Sequence, residues 1–137
     1  MNTDDYIGKP YSPGGSGPDA YDCYGLASAI AADRGFLLPV QQSAAGVELR
    51  LAVFSRRHCR WLVPVDRPEP WSLVAFDHNR LGLHVGTVID APGKFIHVSS
   101  LSGAVTIDRL RNRIYRRPYG FFRLINHSQD RRPPAQA

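Results

Sequence analysis

The pentapeptide Asp22-Cys23-Tyr24-Gly25-Leu26 sits between a glycine- and proline-rich segment and an apolar run that ends at Gly35. Asp22 is a good N-cap, and a helix that starts there holds Cys23 in its first turn and stops at Gly35, after the basic Arg34. Leu26 and Ile30 stand at i and i+4, with Ala27 and Ala31 beside them, a slim apolar stripe that can lie close against a sheet. Gly25 is a poor helix former, so its presence predicts that something approaches the backbone closely near Cys23. A thiol is a useful nucleophile only as its thiolate, and the first turn of a helix favours negative charge through unpaired N–H groups and the macrodipole. A lone cysteine is also a common buried hydrophobe. The chemistry therefore depends on whether a base is at hand.

Working outward, the segment from Ile7 to Pro18 is too rich in glycine and proline for a regular element and reads as an ordered loop carrying Tyr11. Beyond Phe36-Leu37-Leu38-Pro39, a second helix runs from Ser43 to about Arg57, with Ala44, Val47, Leu51 and Phe54 as its inward stripe. The Trp61-Leu62-Val63 segment either pairs as a strand or packs. From Trp71 the period becomes two, with strands at 72–76, 83–89, 94–99, 104–108 and 120–125 and a hairpin turn at Asp90-Ala91-Pro92-Gly93. Helices followed by an antiparallel meander define an α+β domain over residues 1–125, and 126–137 read as a disordered polar tail.

The hairpin supplies the candidate base. If it closes at Asp90 to Gly93, Ile89 faces Lys94 and His97 faces Gly86, next to His84 on the same face; a turn shifted by one residue on each side sets the two histidines directly opposite. Either register puts both imidazoles on one face. A helix carrying Cys23 on that face would align thiol, His84 as general base and His97 as the group that holds its ring. The alternatives are ordinary half-buried strand histidines, or a Cys23-His84-His97 metal site, which lacks the close ligand pairing usual for zinc. Tyr11 is either an oxyanion donor or a loop ring covering apolar surface, and Asp22 is a helix cap, a substrate-amine anchor or both. His58, Cys59, His78 and His127 receive no role.

Bulk properties bound these readings. At 137 residues the chain is long enough for a core without staples, and two cysteines make no secreted disulfide framework, although a Cys23–Cys59 bond is a competing use of the pair. No apolar run approaches the roughly 18 residues of a membrane span, and Asp4-Asp5 lacks the layout of a signal peptide, so synthesis and folding in the cytoplasm are expected. The formal charge of +5 is nearly all arginine, concentrated at Arg109, Arg111, Arg113, Arg116, Arg117, Arg131 and Arg132. Without a nucleic-acid-binding motif beside it, this reads as a solvated basic face.

Four motifs taken in order, Tyr11-Ser12-Pro13-Gly14-Gly15, Asp22-Cys23-Tyr24-Gly25-Leu26, His84-Val85-Gly86 and Phe95-Ile96-His97, resemble the NlpC/P60 cysteine peptidases over residues 6 to about 124. The resemblance implies a papain-like α+β fold, a catalytic triad of Cys23, His84 and His97, no metal or cofactor, and cleavage of peptidoglycan stem peptides, typically between D-glutamate and a diamino acid. It gives Tyr11 the position of the family's loop tyrosine near the oxyanion and Asp22 that of an acidic residue which in some members contacts a substrate amine. Two departures bear on substrate choice. Tyr24 replaces a small residue after the nucleophile and would narrow the groove, and Trp71-Ser72 replaces the Gly-Asp that often opens the first core strand.

Within the family, residues 7–11 and 17–23 look most like phage tail assembly proteins and prophage cell-wall peptidases. The expectation is a thiol peptidase acting at the wall as part of a phage tail. A structural tail-tip protein with little activity, and an amidase or acyltransferase with the same triad, are the rival readings.

Overall fold

A computed structural model describes residues 3–111 and 118–126. After a 3-10 turn at Thr3–Asp5, two helices, α1 (Cys23–Asp33) and α2 (Ala44–Ser55), precede six strands. These are β1 (Leu62–Val65), β2 (Leu73–His78), β3 (Gly82–Val88), β4 (Lys94–His97), β5 (Thr106–Arg109) and β6 (Gly120–Leu124). They form one antiparallel sheet in the order β1-β6-β2-β3-β4-β5, the expected α+β architecture.

Both helix starts follow from their caps. Asp22 Oδ1 accepts from the Gly25 N–H at 2.6 Å, and Ser43 Oγ accepts from the Gly46 N–H at 3.0 Å, each satisfying a first-turn donor that would otherwise lack a partner. At the other end of α1 the chain turns at Gly35, whose φ of +87° suits a residue without Cβ.

The hairpin register is the first of the two anticipated. Thr87 pairs with Ile96 and Val88 with Phe95, and the Ile89 N–H donates to the Lys94 carbonyl at 3.1 Å, so continuation of the ladder brings His97 opposite Gly86. Gly86 is required there. A Cβ added to it would lie 2.8 Å from Phe95 Cδ2 and 3.1 Å from His97 Cβ.

The sheet is buried on both faces. Over one, α1 lays Ala27 and Ala31 against Leu73, Ala75 and Val85, and Leu26 and Ile30 against Ile96 and Val98. On the other, Val74, Phe76, Val88, Phe95 and Leu110 pack together. By strand alternation His84, paired with Phe76, and His97, two residues after Phe95, stand on this second side. The helix thus covers the opposite pleat from the imidazoles, whereas the sequence reading set it on theirs.

Three further differences have physical reasons. In α2 the buried residues are Gly46, Leu49, Ala52 and Val53, while Val47, Leu51 and Phe54 are exposed. The helix is apolar on more than one side, and helical spacing alone did not select between two stripes; contact with Trp61 and Leu62 did. The Trp61-Leu62-Val63 segment does pair, as β1 against β6. Asn126, assigned by sequence to the tail, is buried, and its carbonyl accepts from the Leu37 N–H at 2.8 Å. The rest of that tail, with His127, Arg131 and Arg132, and the arginines at 113, 116 and 117 lie outside the described residues.

The glycine loop is ordered by main-chain bonds. Tyr11 N–H donates to the Gly103 carbonyl at 2.9 Å, Gly8 N–H to Val105 at 2.9 Å, and Asp22 N–H to Gly15 at 2.8 Å. These bonds tie the loop to the β4–β5 connection at one end and to the start of α1 at the other.

Candidate active site

Cys23 is the first residue of α1, half-buried, and free, as is Cys59. Gly25 explains how the loop reaches it. A Cβ at Gly25 would lie 2.0 Å from the Gly15 carbonyl oxygen, so only glycine admits the loop against the helix start. The predicted close approach is therefore main chain from residue 15.

Main-chain N–H groups of Val85, Tyr24 and Cys23 itself donate toward the Cys23 sulfur and favour its thiolate. Burial outweighs them, and with the adjacent Asp22 carboxylate it pushes the thiol above its ordinary pKa. The helix terminus was expected to lower it. Desolvation wins because the donors are few and the sulfur is largely out of water.

The donor from Val85 belongs to the His84–Val85 peptide, so the sulfur lies against the strand segment that carries the first histidine. His84 Nε2 is 2.9 Å from His97 Nδ1, and the rings meet edge to face with centroids 5.0 Å apart. Both imidazoles are out of solvent, 1% and 0% exposed, stacked on Phe76 and Phe95 respectively. Burial, then His97 and His78, lowers the His84 pKa to about 3. His97 is also lowered, burial outweighing the opposing hydrogen bond and charge of Asp108. At rest the thiol and both imidazoles are consequently neutral.

Asp108 was not singled out in the sequence. Its Oδ2 lies 2.7 Å from His97 Nε2. Strand parity could have found it, since Thr106 pairs with His97 and Asp108 is two residues along the same face of β5. His78, given no role in advance, accepts from the Arg80 and Leu81 N–H groups at 3.0 and 3.2 Å and so shapes the β2–β3 turn.

The remaining sequence candidates lie around the helix start. The Tyr11 ring packs against the cluster of Tyr6, Tyr21, Leu26 and Ile96. Asp22 uses one carboxylate oxygen as the cap. Tyr24 is 7% exposed, and its hydroxyl donates to the Pro39 carbonyl at 2.6 Å. Asp22 and Tyr24 nonetheless border a cleft of about 260 Å³, closed by Gly14, Gly15 and Ser16 on one side and by residues 38–42 on the other. Among the described residues no group of three or more His, Cys, Asp or Glu side chains is arranged to hold a metal ion.

The profile of the NlpC/P60 family matches residues 8–123. The chain belongs to the NlpC/P60 family. Its NlpC/P60 domain is 33% identical over 84 residues to a probable endopeptidase p60 of Listeria welshimeri, an alignment covering 61% of this chain and 14% of that protein. Among solved structures it resembles an NlpC/P60 family protein of Bacillus cereus, with TM-score 0.64 and 24% identity over 90% of this chain and 40% of the other. NlpC1 of Trichomonas vaginalis superimposes with TM-score 0.63 at 21% identity, over 87% of this chain and 40% of that one. The NlpC/p60 domain of the peptidoglycan hydrolase SagA does so with TM-score 0.59 at 17% identity, over 90% and 99%. At these identities the structural likenesses establish the papain-like α+β fold of the NlpC/P60 domain. No helix among its described residues is long and apolar enough to cross a membrane.

Proposed function

We propose that this NlpC/P60 domain is a cysteine peptidase that hydrolyses amide bonds in peptidoglycan stem peptides, with Cys23 as nucleophile, His84 as general base and His97 orienting His84. The observation that carries the reading is the buried His84–His97 contact of 2.9 Å on the strand whose next peptide donates to the Cys23 sulfur. Two imidazoles held dry and in contact fulfil the requirement for an oriented base.

With the thiol raised and the imidazoles lowered, the proton moves during attack. His84 takes it as Sγ bonds to the carbonyl carbon, then delivers it to the leaving amine as the C–N bond breaks. The thioester left on Cys23 is hydrolysed by a water that gives its proton to His84, which returns it to the sulfur as the C–S bond breaks. Main-chain N–H groups of the first turn, with Tyr11 as a further donor, stabilise the oxyanion. The second oxygen of Asp22 anchors a substrate amine, and Tyr24, through its place beside the cleft, limits which side chain enters.

The setting proposed is a phage or prophage tail, which would deliver the domain to the wall; the likeness of residues 7–11 and 17–23 to tail-associated peptidases supports it. Peptide fragments released from purified peptidoglycan, resolved by mass spectrometry, test the enzyme. Wild type should release stem-peptide fragments and Cys23→Ala none; equal release by the variant would sink the mechanism. Transfer to an added amine in preference to water would indicate an acyltransferase, and a chain inert on walls that co-assembles with a purified tail component would indicate a scaffold.

A further inference from the structure

The direction of the protons along β3, β4 and β5 is fixed at its solvent end. An ionised carboxylate has no proton to give, so the 2.7 Å contact with Asp108 is a hydrogen bond only when His97 carries its proton on Nε2. In neutral His97 the other nitrogen, Nδ1, is then bare and can only accept. It faces His84 Nε2 at 2.9 Å, so His84 must be protonated there, which leaves its Nδ1 without a proton. We propose that Asp108 is a positioning residue that sets the tautomers of both histidines, making Nδ1 of His84 the basic nitrogen. This rests on the reading of His84 as the base for Cys23.

The opposite polarity would disable the site. With His97 protonated on Nδ1, it would donate to His84 Nε2, and the proton of neutral His84 would then occupy Nδ1. The base would present a proton to the thiol where it should present a lone pair. Burial of both rings slows any correction by water, while the Asp108 side chain, 27% exposed on an edge strand, keeps contact with solvent.

Asn is the informative replacement. It has nearly the size of Asp but offers either an oxygen or an NH2 to His97, so it permits both tautomers, whereas Glu keeps an acceptor-only group. Nitrogen-15 NMR of the imidazoles in the substrate-free protein at neutral pH should show His84 and His97 both protonated on Nε2 in wild type. Asp108→Asn should populate Nδ1–H forms and lower kcat about 10- to 100-fold, with KM changed less than about threefold, by analogy with the loss of a partner behind a metal-binding imidazole. Asp108→Glu should restore the wild-type tautomers and part of kcat.

A wild-type His97 protonated on Nδ1 would overturn the proposal, as would a folded Asp108→Asn protein with unaltered tautomers and kcat. Should Asp108→Asn not fold, the wild-type spectrum still decides. If wild type digests no wall peptide, the proposed function fails, and the tautomers, read without substrate, still show whether Asp108 sets them.

Discussion

Gly25→Ala sets two effects of opposite sign against each other. In an exposed helix, alanine is favoured over glycine by about 1 kcal/mol, so propensity alone predicts a more stable protein. Here the added Cβ would stand 2.0 Å from the Gly15 carbonyl oxygen and 3.0 Å from Asp22 Oδ1. The loop must retreat by roughly 1 Å or more to restore an ordinary contact. Retreat strains the bond from Asp22 N–H to the Gly15 carbonyl, now 2.8 Å, worth about 1 kcal/mol, and overpacking adds about 1 to 3 kcal/mol. The net expectation is a loss of about 1 to 3 kcal/mol, some 3 to 5 °C in Tm for each kcal/mol at this chain length. Urea unfolding followed by circular dichroism measures it. A Gly25→Ala protein as stable as wild type, or more stable, would refute the contact as the reason for glycine.

Leu49→Ala should cost about 2 to 5 kcal/mol, because Leu49 is 2% exposed, while Leu51→Ala, at 54% exposed, should stay within about 0.5 kcal/mol; urea midpoints reversed in order would mean that α2 packs by its other stripe. Acid should destabilise the fold through His84, whose pKa falls from 6.5 in the unfolded chain to about 3 in the folded one. The folded state binds fewer protons, so this stability is present above pH 6.5 and is lost as pH falls toward 3, by about 2 kcal/mol between pH 6.5 and 5. Midpoints that do not move in that window would contradict the burial of a neutral imidazole. Alkylation of Cys23 by iodoacetamide in the free protein, with Cys59 replaced by Ser, should rise with pH through a value above that of an ordinary thiol; a plateau reached below neutrality would reveal a preformed thiolate–imidazolium pair.

The helix starts at Asp22 and Ser43, the hairpin between β3 and β4 and the shared face of His84 and His97 were legible in local signals, because caps, turns and strand parity act over a few residues; of the two registers left open, the pairing of Val88 with Phe95 selects one. What failed depends on long-range packing. The inward face of α2 is chosen by β1, far along the chain, and two apolar stripes at helical spacing look alike without it. The same is true of the side of the sheet that α1 covers, which helical periodicity does not encode. The helix terminus correctly identified a place that favours a thiolate, but the net shift at Cys23 depends on how much water the finished fold removes. Asp108 carries no local signal of its place, which emerges only when the edge strand β5 pairs with β4 and sets it on the face of His97.

The groups proposed for the site, Cys23, His84, His97 and Asp108, come from α1, β3, β4 and β5, the first and last separated by most of the described chain. Such an arrangement makes reactivity a late event in the life of each molecule. A ribosome releases Cys23 well before Asp108, and until the strands close, the sulfur has neither its strand donor nor an oriented base, since contacts of this sequence separation form only as the whole sheet does. On the proposed function, a nascent or partly unfolded copy carries a cysteine open to oxidation but no assembled site, so gain of hydrolysis would report on completion of the fold as directly as any spectroscopic probe.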